Sequence, residues 1–173
     1  RNVRAGGWDA IETMRPLPSF SSQTAGFLGL GRIGRQVWAR LRPFGFKGMV
    51  CDPAVSGAQS LDLGLEASDM DGLARGSDII FLHLPASAQT RGIIDSAFFD
   101  KMKPGAMIVN CARGELVDED ALVHALQSGR IGGAALDVFR TEPLPAVHPL
   151  KDQPNVLLSP HAAWYSDTAI SRL

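Results

Sequence analysis

The run Gly26-Phe27-Leu28-Gly29-Leu30-Gly31-Arg32-Ile33-Gly34 decides how this chain folds. Its apolar start reads as a buried strand, and its glycines fit G-x-G-x-x-G at the opening of a helix. Each glycine has a physical task. Gly29 permits the tight turn, Gly31 lets backbone approach a pyrophosphate, and Gly34 lets helix pack closely on strand. Free N–H groups at the helix start, with the positive end of its dipole, then hold phosphate oxygens. Arg32 and Ile33 lie in the same turn and are expected contacts as well. The next apolar run ends at Asp52, where a carboxylate can accept hydrogen bonds from ribose hydroxyls and repel a 2′-phosphate. Asp before Pro53 is also ordinary turn chemistry. With the glycines in place, the pattern favours a dinucleotide, and NAD over NADP.

Outward from this turn, apolar runs alternate with helical stretches, the pattern of a parallel sheet covered on both faces. Strands are expected at Gly26–Leu30, Gly48–Cys51, Asp78–Leu84, Ala106–Asn110, Gly133–Asp137 and Asn155–Leu158. A helix over Arg32–Phe44 carries Ile33, Val37 and Leu41 as one apolar stripe. Another over Asp118–Ser128 puts Ala121, Leu122, Ala125 and Leu126 on one face. Its acidic first turn complements the helix dipole, and Gly129 follows as a C-cap. Residues 1–23, with Gly6-Gly7, Pro16, Pro18 and three serines, read as a linker with one short helix. Ser166–Leu173 reads as the opening of a further helix. The expected architecture is α/β, a doubly wound, mostly parallel sheet over residues 24–173.

Composition excludes several classes. The 17 basic and 18 acidic side chains among 173 residues leave no excess charge to drive nucleic-acid binding. No apolar run approaches the roughly 18 residues of a membrane span. Two distant cysteines make no disulfide framework, and with no signal peptide visible a reducing cytoplasm is expected. The four histidines and two cysteines are too dispersed for a zinc pattern. Cys51 and Cys111 are read as small buried hydrophobes. Residue 1 is Arg, so the chain is read as a piece of something longer.

Hydride exchange with a hydroxy or keto acid needs a proton donor–acceptor, a cation for the carboxylate, and a group that orients the donor. Polar clusters stand at three strand ends. Asn110-Cys111-Ala112-Arg113-Gly114 follows one strand, Asp137 closes the next with Glu142 beyond it, and His161 follows the last. Singly, each has a plain alternative: a solvated Arg, a loop Glu before Pro, a hydrogen-bonded loop His, an Asp capping a strand. Their co-occurrence beside the glycine-rich turn favours chemistry. His124 is read as solvated, His148 as a loop residue without a clear partner, and His83 as lying near the cofactor.

The run Ile108-Val109-Asn110-Cys111-Ala112-Arg113-Gly114-Glu115-Leu116-Val117-Asp118 resembles the signature of the D-isomer-specific 2-hydroxyacid dehydrogenase family. So do Ala134–Phe139 with Glu142-Pro143, and Ser159-Pro160-His161. The His161–Ser166 stretch, with Pro149–Asp152 before it, is similar to the C-terminal-binding protein branch. The resemblance implies a Rossmann NAD-binding domain with the substrate domain largely absent, and residues 1–23 as the interdomain helix and linker. It implies that Arg113 grips the substrate carboxylate and keto oxygen, that His161 exchanges the proton, and that Glu142 pairs with and orients His161. Asp137 would hold the nicotinamide amide. Leu84, Pro85, Thr90, Cys111, Ala112 and Ala163 would touch the cofactor, and Trp164 would line a pocket for an apolar or aromatic substrate side chain. The implied partners are a small 2-hydroxy or 2-keto acid and a second copy in a homodimer. Half the substrate cleft would lie elsewhere, so the chain alone is expected to bind NADH and turn over 2-keto acids poorly or not at all. The alternative is a dinucleotide-sensing corepressor-like module that dimerises on cofactor binding.

Overall fold

The computed structural model describes residues 6–8 and 17–171. The short helix expected in the 1–23 lead-in lies outside the described residues. Among the described residues the sheet has seven strands: β1 (Thr24–Leu28), β2 (Lys47–Cys51), β3 (Glu66–Ala67), β4 (Ile79–Leu82), β5 (Met107–Asn110), β6 (Gly133–Leu136) and β7 (Val156–Leu158). They lie in the order β3-β2-β1-β4-β5-β6-β7, and every pairing is parallel. β1 is therefore flanked by β2 and β4, and the winding direction reverses between β1 and β4. Ligands in open parallel sheets bind in the crevice beyond the strand ends at such a point.

Six strands were expected and seven are found. The extra one, β3, is two exposed residues at the sheet edge, too short and too polar to leave an apolar run. The helices are α1 (Arg32–Leu41), α2 (Gly57–Asp62), α3 (Met70–Gly76), α4 (Ser96–Lys101), α5 (Glu119–Gln127) and α6 (Asp167–Ile170). The Arg32–Phe44 expectation splits, because Arg42–Phe44 tightens into a 3-10 turn that ends at Gly45, in the left-handed region at φ 88°. Asp118 caps α5, and Gly129 follows at φ 69°, as its place after a helix end suggested.

Of the expected apolar stripe of α1, Val37 and Leu41 pack against the core and Ile33 does not. Ile33 is 68% exposed, and the helix buries Gly34 and Trp38 instead. Gly48 explains the choice. A Cβ there would stand 2.5 Å from the Trp38 ring, so only a glycine in β2 leaves room for the indole. Trp38 meets Phe27 edge-on at 5.9 Å, and its indole N–H donates to the Leu63 carbonyl at 2.8 Å. A second apolar cluster joins Leu28, Ile80, Leu82 and Ile108 to α3, α4 and α5. Phe27, Ile80, Leu82 and Ile108 are fully buried, each contributing roughly 1.5–3 kcal/mol. This rigid sheet holds its carboxyl-end loops in place.

Candidate functional site

The glycine-rich turn behaves as its spacing suggested. Gly29 has φ 87°, and a Cβ there would lie 2.8 Å from the His83 carbonyl oxygen. A Cβ at Gly34 would come 3.0 Å from the Gly29 carbonyl, so α1 seats directly on the turn. At Gly31 a Cβ would meet nothing within 4 Å. That open surface lies at the N-terminus of α1, where no side chain caps the helix. Its first N–H groups are free for an anion. Asp52 knits this turn to the end of β2, accepting from Leu30 N–H at 2.6 Å and from Ala54 N–H at 2.8 Å. A carboxylate has further lone pairs, so it can still accept from ribose hydroxyls.

A cleft of about 400 Å³ lies at the reversal point. Its walls come from Ile33 after β1, His83 to Ala86 after β4, and Cys111, Ala112, Arg113 and Glu115 after β5. Leu84, Pro85, Cys111 and Ala112 thus stand together, as the sequence suggested. Thr90 is not in this wall. Its hydroxyl donates to the Pro85 carbonyl at 2.7 Å and accepts from Ser87 N–H, which closes the loop that carries Pro85. Arg32 faces a separate groove on the outer side of α1. His83 packs its ring parallel to Phe27, and its Nε2 is buried without a partner among the described residues. Burial pushes its pKa down, which keeps the ring neutral.

Beyond this cleft, Arg113, Glu142 and His161 line one cavity of about 200 Å³. Buried Asn110 builds the turn that presents Arg113, accepting from Ala112 N–H and donating to the Arg113 carbonyl at 2.9 Å. The Arg113 guanidinium donates only to the Ala112 carbonyl, and no carboxylate pairs with it among the described residues. His161 sits at φ 53°, the one non-glycine residue in the left-handed region among those described. Its Nδ1 donates to Glu142 Oε2 at 2.7 Å, while Glu142 Oε1 accepts Phe139 N–H at 2.9 Å. This leaves Nε2 of His161 without a partner among the described residues.

The His161 turn is held from beneath by Asp137, which is only 3% exposed. Its carboxylate accepts from the Ser159 hydroxyl at 2.5 Å, from Ala162 N–H at 2.9 Å and from Ala163 N–H at 2.8 Å. Asp137 and Ala163, both expected at the cofactor, are thus engaged with each other. Trp164 is not among the lining residues of this cavity. Its indole N–H donates to the His161 carbonyl at 2.9 Å, bracing the same turn from the other side.

Three readings of single residues are corrected. Cys111 is exposed, because the β5 strand end opens into the cleft; Cys51 is half-buried. His148 has partners: its Nδ1 accepts Leu150 N–H at 3.3 Å, and its Nε2 lies 3.4 Å from Glu119. His124 is exposed, as expected. Local spacing assigned no site role to Asn110, and to Glu119 only a part in an acidic helix start, since burial and long-range partners leave no mark in it.

Two carboxyls here titrate low. Burial pushes Asp137 up, but bonds from Ser159, Ala163 and Ala162 and the His161 charge outweigh it, so its pKa lies below the usual carboxylate range. Glu142 is likewise raised by burial, and more than compensated by bonds from His161 and Phe139 N–H. Folded values below the unfolded ones stabilise the fold fully above about pH 4. That stability is lost as pH falls through the depressed values. The urea midpoint should therefore drop between pH 7 and pH 3, and by less in Asp137→Asn. Equal drops in both proteins would show that Asp137 does not carry the effect.

The profile of the family described as D-isomer specific 2-hydroxyacid dehydrogenase, NAD binding domain, matches residues 1–163. The chain is 40% identical over 171 residues to a D-3-phosphoglycerate dehydrogenase of Rattus norvegicus, covering 99% of this chain and 32% of that protein. The structure of a D-2-hydroxyisocaproate dehydrogenase superposes with a TM-score of 0.86 at 31% identity, over 98% of this chain and 54% of the other. The NAD-complexed D-isomer specific 2-hydroxyacid dehydrogenase of Lactobacillus delbrueckii ssp. bulgaricus gives 0.80 at 33%, over 88% and 50%. The chain spans about a third of the curated relative it matches. That relative is named a phosphoglycerate dehydrogenase, where the His161–Ser166 stretch had pointed to the C-terminal-binding protein branch.

Proposed function

Because the chain belongs to the D-isomer-specific 2-hydroxyacid dehydrogenase family and forms its NAD-binding domain, we propose that it carries the proton-transfer and carboxylate-binding half of such an enzyme. The observation that carries this reading is the 2.7 Å contact of His161 with Glu142, in one cavity with the carboxylate-free guanidinium of Arg113. Gly31, the N-terminus of α1 and the reversal-point cleft would hold NAD, which would supply hydride exchange with the C2 carbon of the acid. Arg113 binds the substrate carboxylate through two parallel N–H donors. His161 gives a proton from Nε2 to the keto oxygen in reduction and takes it back from the hydroxyl in oxidation. Glu142 holds Nδ1–H, which fixes the tautomer and stabilises the cationic ring. Asp137 and Trp164 hold the turn that aims His161. Asp52 accepts from the adenosine ribose.

Similarity to a D-3-phosphoglycerate dehydrogenase, 40% identical over 171 residues, favours hydride chemistry over the corepressor-like module, since the Arg113, Glu142 and His161 set by itself does not separate the two. A homodimer through this domain belongs to the proposal and is read by light scattering. The decisive experiment pairs NADH and NADPH fluorescence titrations of this chain with a 2-keto acid panel on a two-domain protein that contains it. NADH should bind in preference to NADPH, and only the two-domain protein should turn over. A chain that binds neither nucleotide, or a two-domain protein inert towards every acid in the panel, would overturn the proposal.

A further inference from the structure

Glu119 is a buried charge that the proposed mechanism does not use. It is the first residue of α5, directly after the Asp118 cap, and is 6% exposed. An acid in a first helical turn normally faces water, where it complements the dipole at little cost. A buried carboxylate is costly unless its oxygens are satisfied. Those of Glu119 are spent on a distant loop. Oε1 accepts Arg140 N–H at 2.6 Å, and Oε2 lies 3.4 Å from His148 Nε2 and 4.0 Å from Arg140 Nε. Since His148 Nδ1 accepts from Leu150, its Nε2 carries the proton that faces Glu119.

The backbone beside this contact belongs to the site. Phe139 N–H goes to Glu142, and the next one, Arg140 N–H, goes to Glu119. The Phe139–Arg140 peptide lies directly on Gly114, where a Cβ would stand 2.0 Å from the Phe139 carbonyl carbon and 2.6 Å from Arg140 N. Gly114 follows Arg113. One peptide plane therefore touches the Arg113 turn, precedes the amide-anchored Glu142, and is held in orientation by Glu119.

We propose that Glu119 is a positioning residue: by holding the Phe139–Arg140 peptide against Gly114, it sets Glu142, and through it His161, in register with Arg113. The inference rests on reading Glu142 and His161 as the proton-handling pair, but the contact it describes can be tested without turnover.

In the unmodified chain, NMR should show a scalar coupling across the hydrogen bond from Arg140 N to the Glu119 carboxyl carbon. Its absence overturns the proposal whatever the variants do. The second readout is the titration of the Glu142 carboxyl carbon, whose charged neighbours are His161 and Asp137. Glu119→Met keeps the volume, removes the acceptor, and is the kind of swap that buried charges tolerate. It should move the Glu142 midpoint upward by about half a unit or more, because the Phe139 N–H loses its aim. Glu119→Gln keeps a carbonyl for Arg140 N–H and should leave the midpoint in place. Unchanged midpoints in both variants would mean that Glu119 only stabilises the fold. Downward shifts in both would assign the effect to the lost negative charge of Glu119, and upward shifts in both would show that a retained acceptor does not hold the peptide; either would equally overturn the proposal. If the two-domain protein proves inactive while this pattern holds, the functional reading fails and the positioning role stands.

Discussion

Gly114→Ala should destabilise the domain by about 3 kcal/mol or more, beyond the usual range for a small overpacking change. The added Cβ would lie 2.0 Å from the Phe139 carbonyl carbon and 2.1 Å from its oxygen. Both are backbone atoms, so no side chain can swing aside. Either the Arg113 turn or the Phe139–Glu142 loop must retreat. The turn is held by buried Asn110, and the loop by Glu119 and Glu142, so relief in either direction breaks hydrogen bonds. In a domain of this size the melting temperature should fall by roughly 6–12 °C. Gly57→Ala is the matched control. A Cβ there meets nothing within 4 Å, it begins α2, and alanine favours the helix. Equal melting temperatures for Gly114→Ala and the wild type would refute the close approach on which the site's geometry depends.

Arg113→Ala should lower kcat/KM for 2-keto acids by about a thousandfold in a two-domain protein that contains this chain, the scale of losing a bidentate, charge-assisted contact to the substrate. NADH binding should remain largely intact. In the proposed reading the nucleotide would be anchored away from the guanidinium, at Gly31, the N-terminus of α1 and Asp52. Arg113→Lys keeps the charge but not the planar fork, and should recover only part of the activity. If Arg113→Ala loses NADH binding together with turnover, the guanidinium is supporting the cleft wall and does not grip substrate. If Lys restores full activity, charge alone suffices and the bidentate role is wrong.

Much of the fold was legible. The glycines of the Gly29–Gly34 turn, the buried runs at Phe27 and Ile80, and the cap at Asp118 all act within a few residues of their own position. A two-residue edge strand such as Glu66–Ala67 buries nothing and so leaves no pattern. Ile33 was misassigned because spacing alone cannot say which side of an amphipathic helix meets the sheet. That depended on Gly48, in another strand, making room for Trp38.

The site divides the same way. The sequence by itself determined which chemical groups stand at the strand ends: an Arg after β5, an Asp after β6, and a His after β7, beside a dinucleotide turn. What only the tertiary structure decided is how those groups are spent. Asp137 is committed to the His161 turn, Trp164 braces it, and Glu119 holds a peptide 21 residues away. The physical reason is that a carboxylate's partners depend on which distant N–H groups the fold brings within about 3 Å, and local spacing carries no record of them.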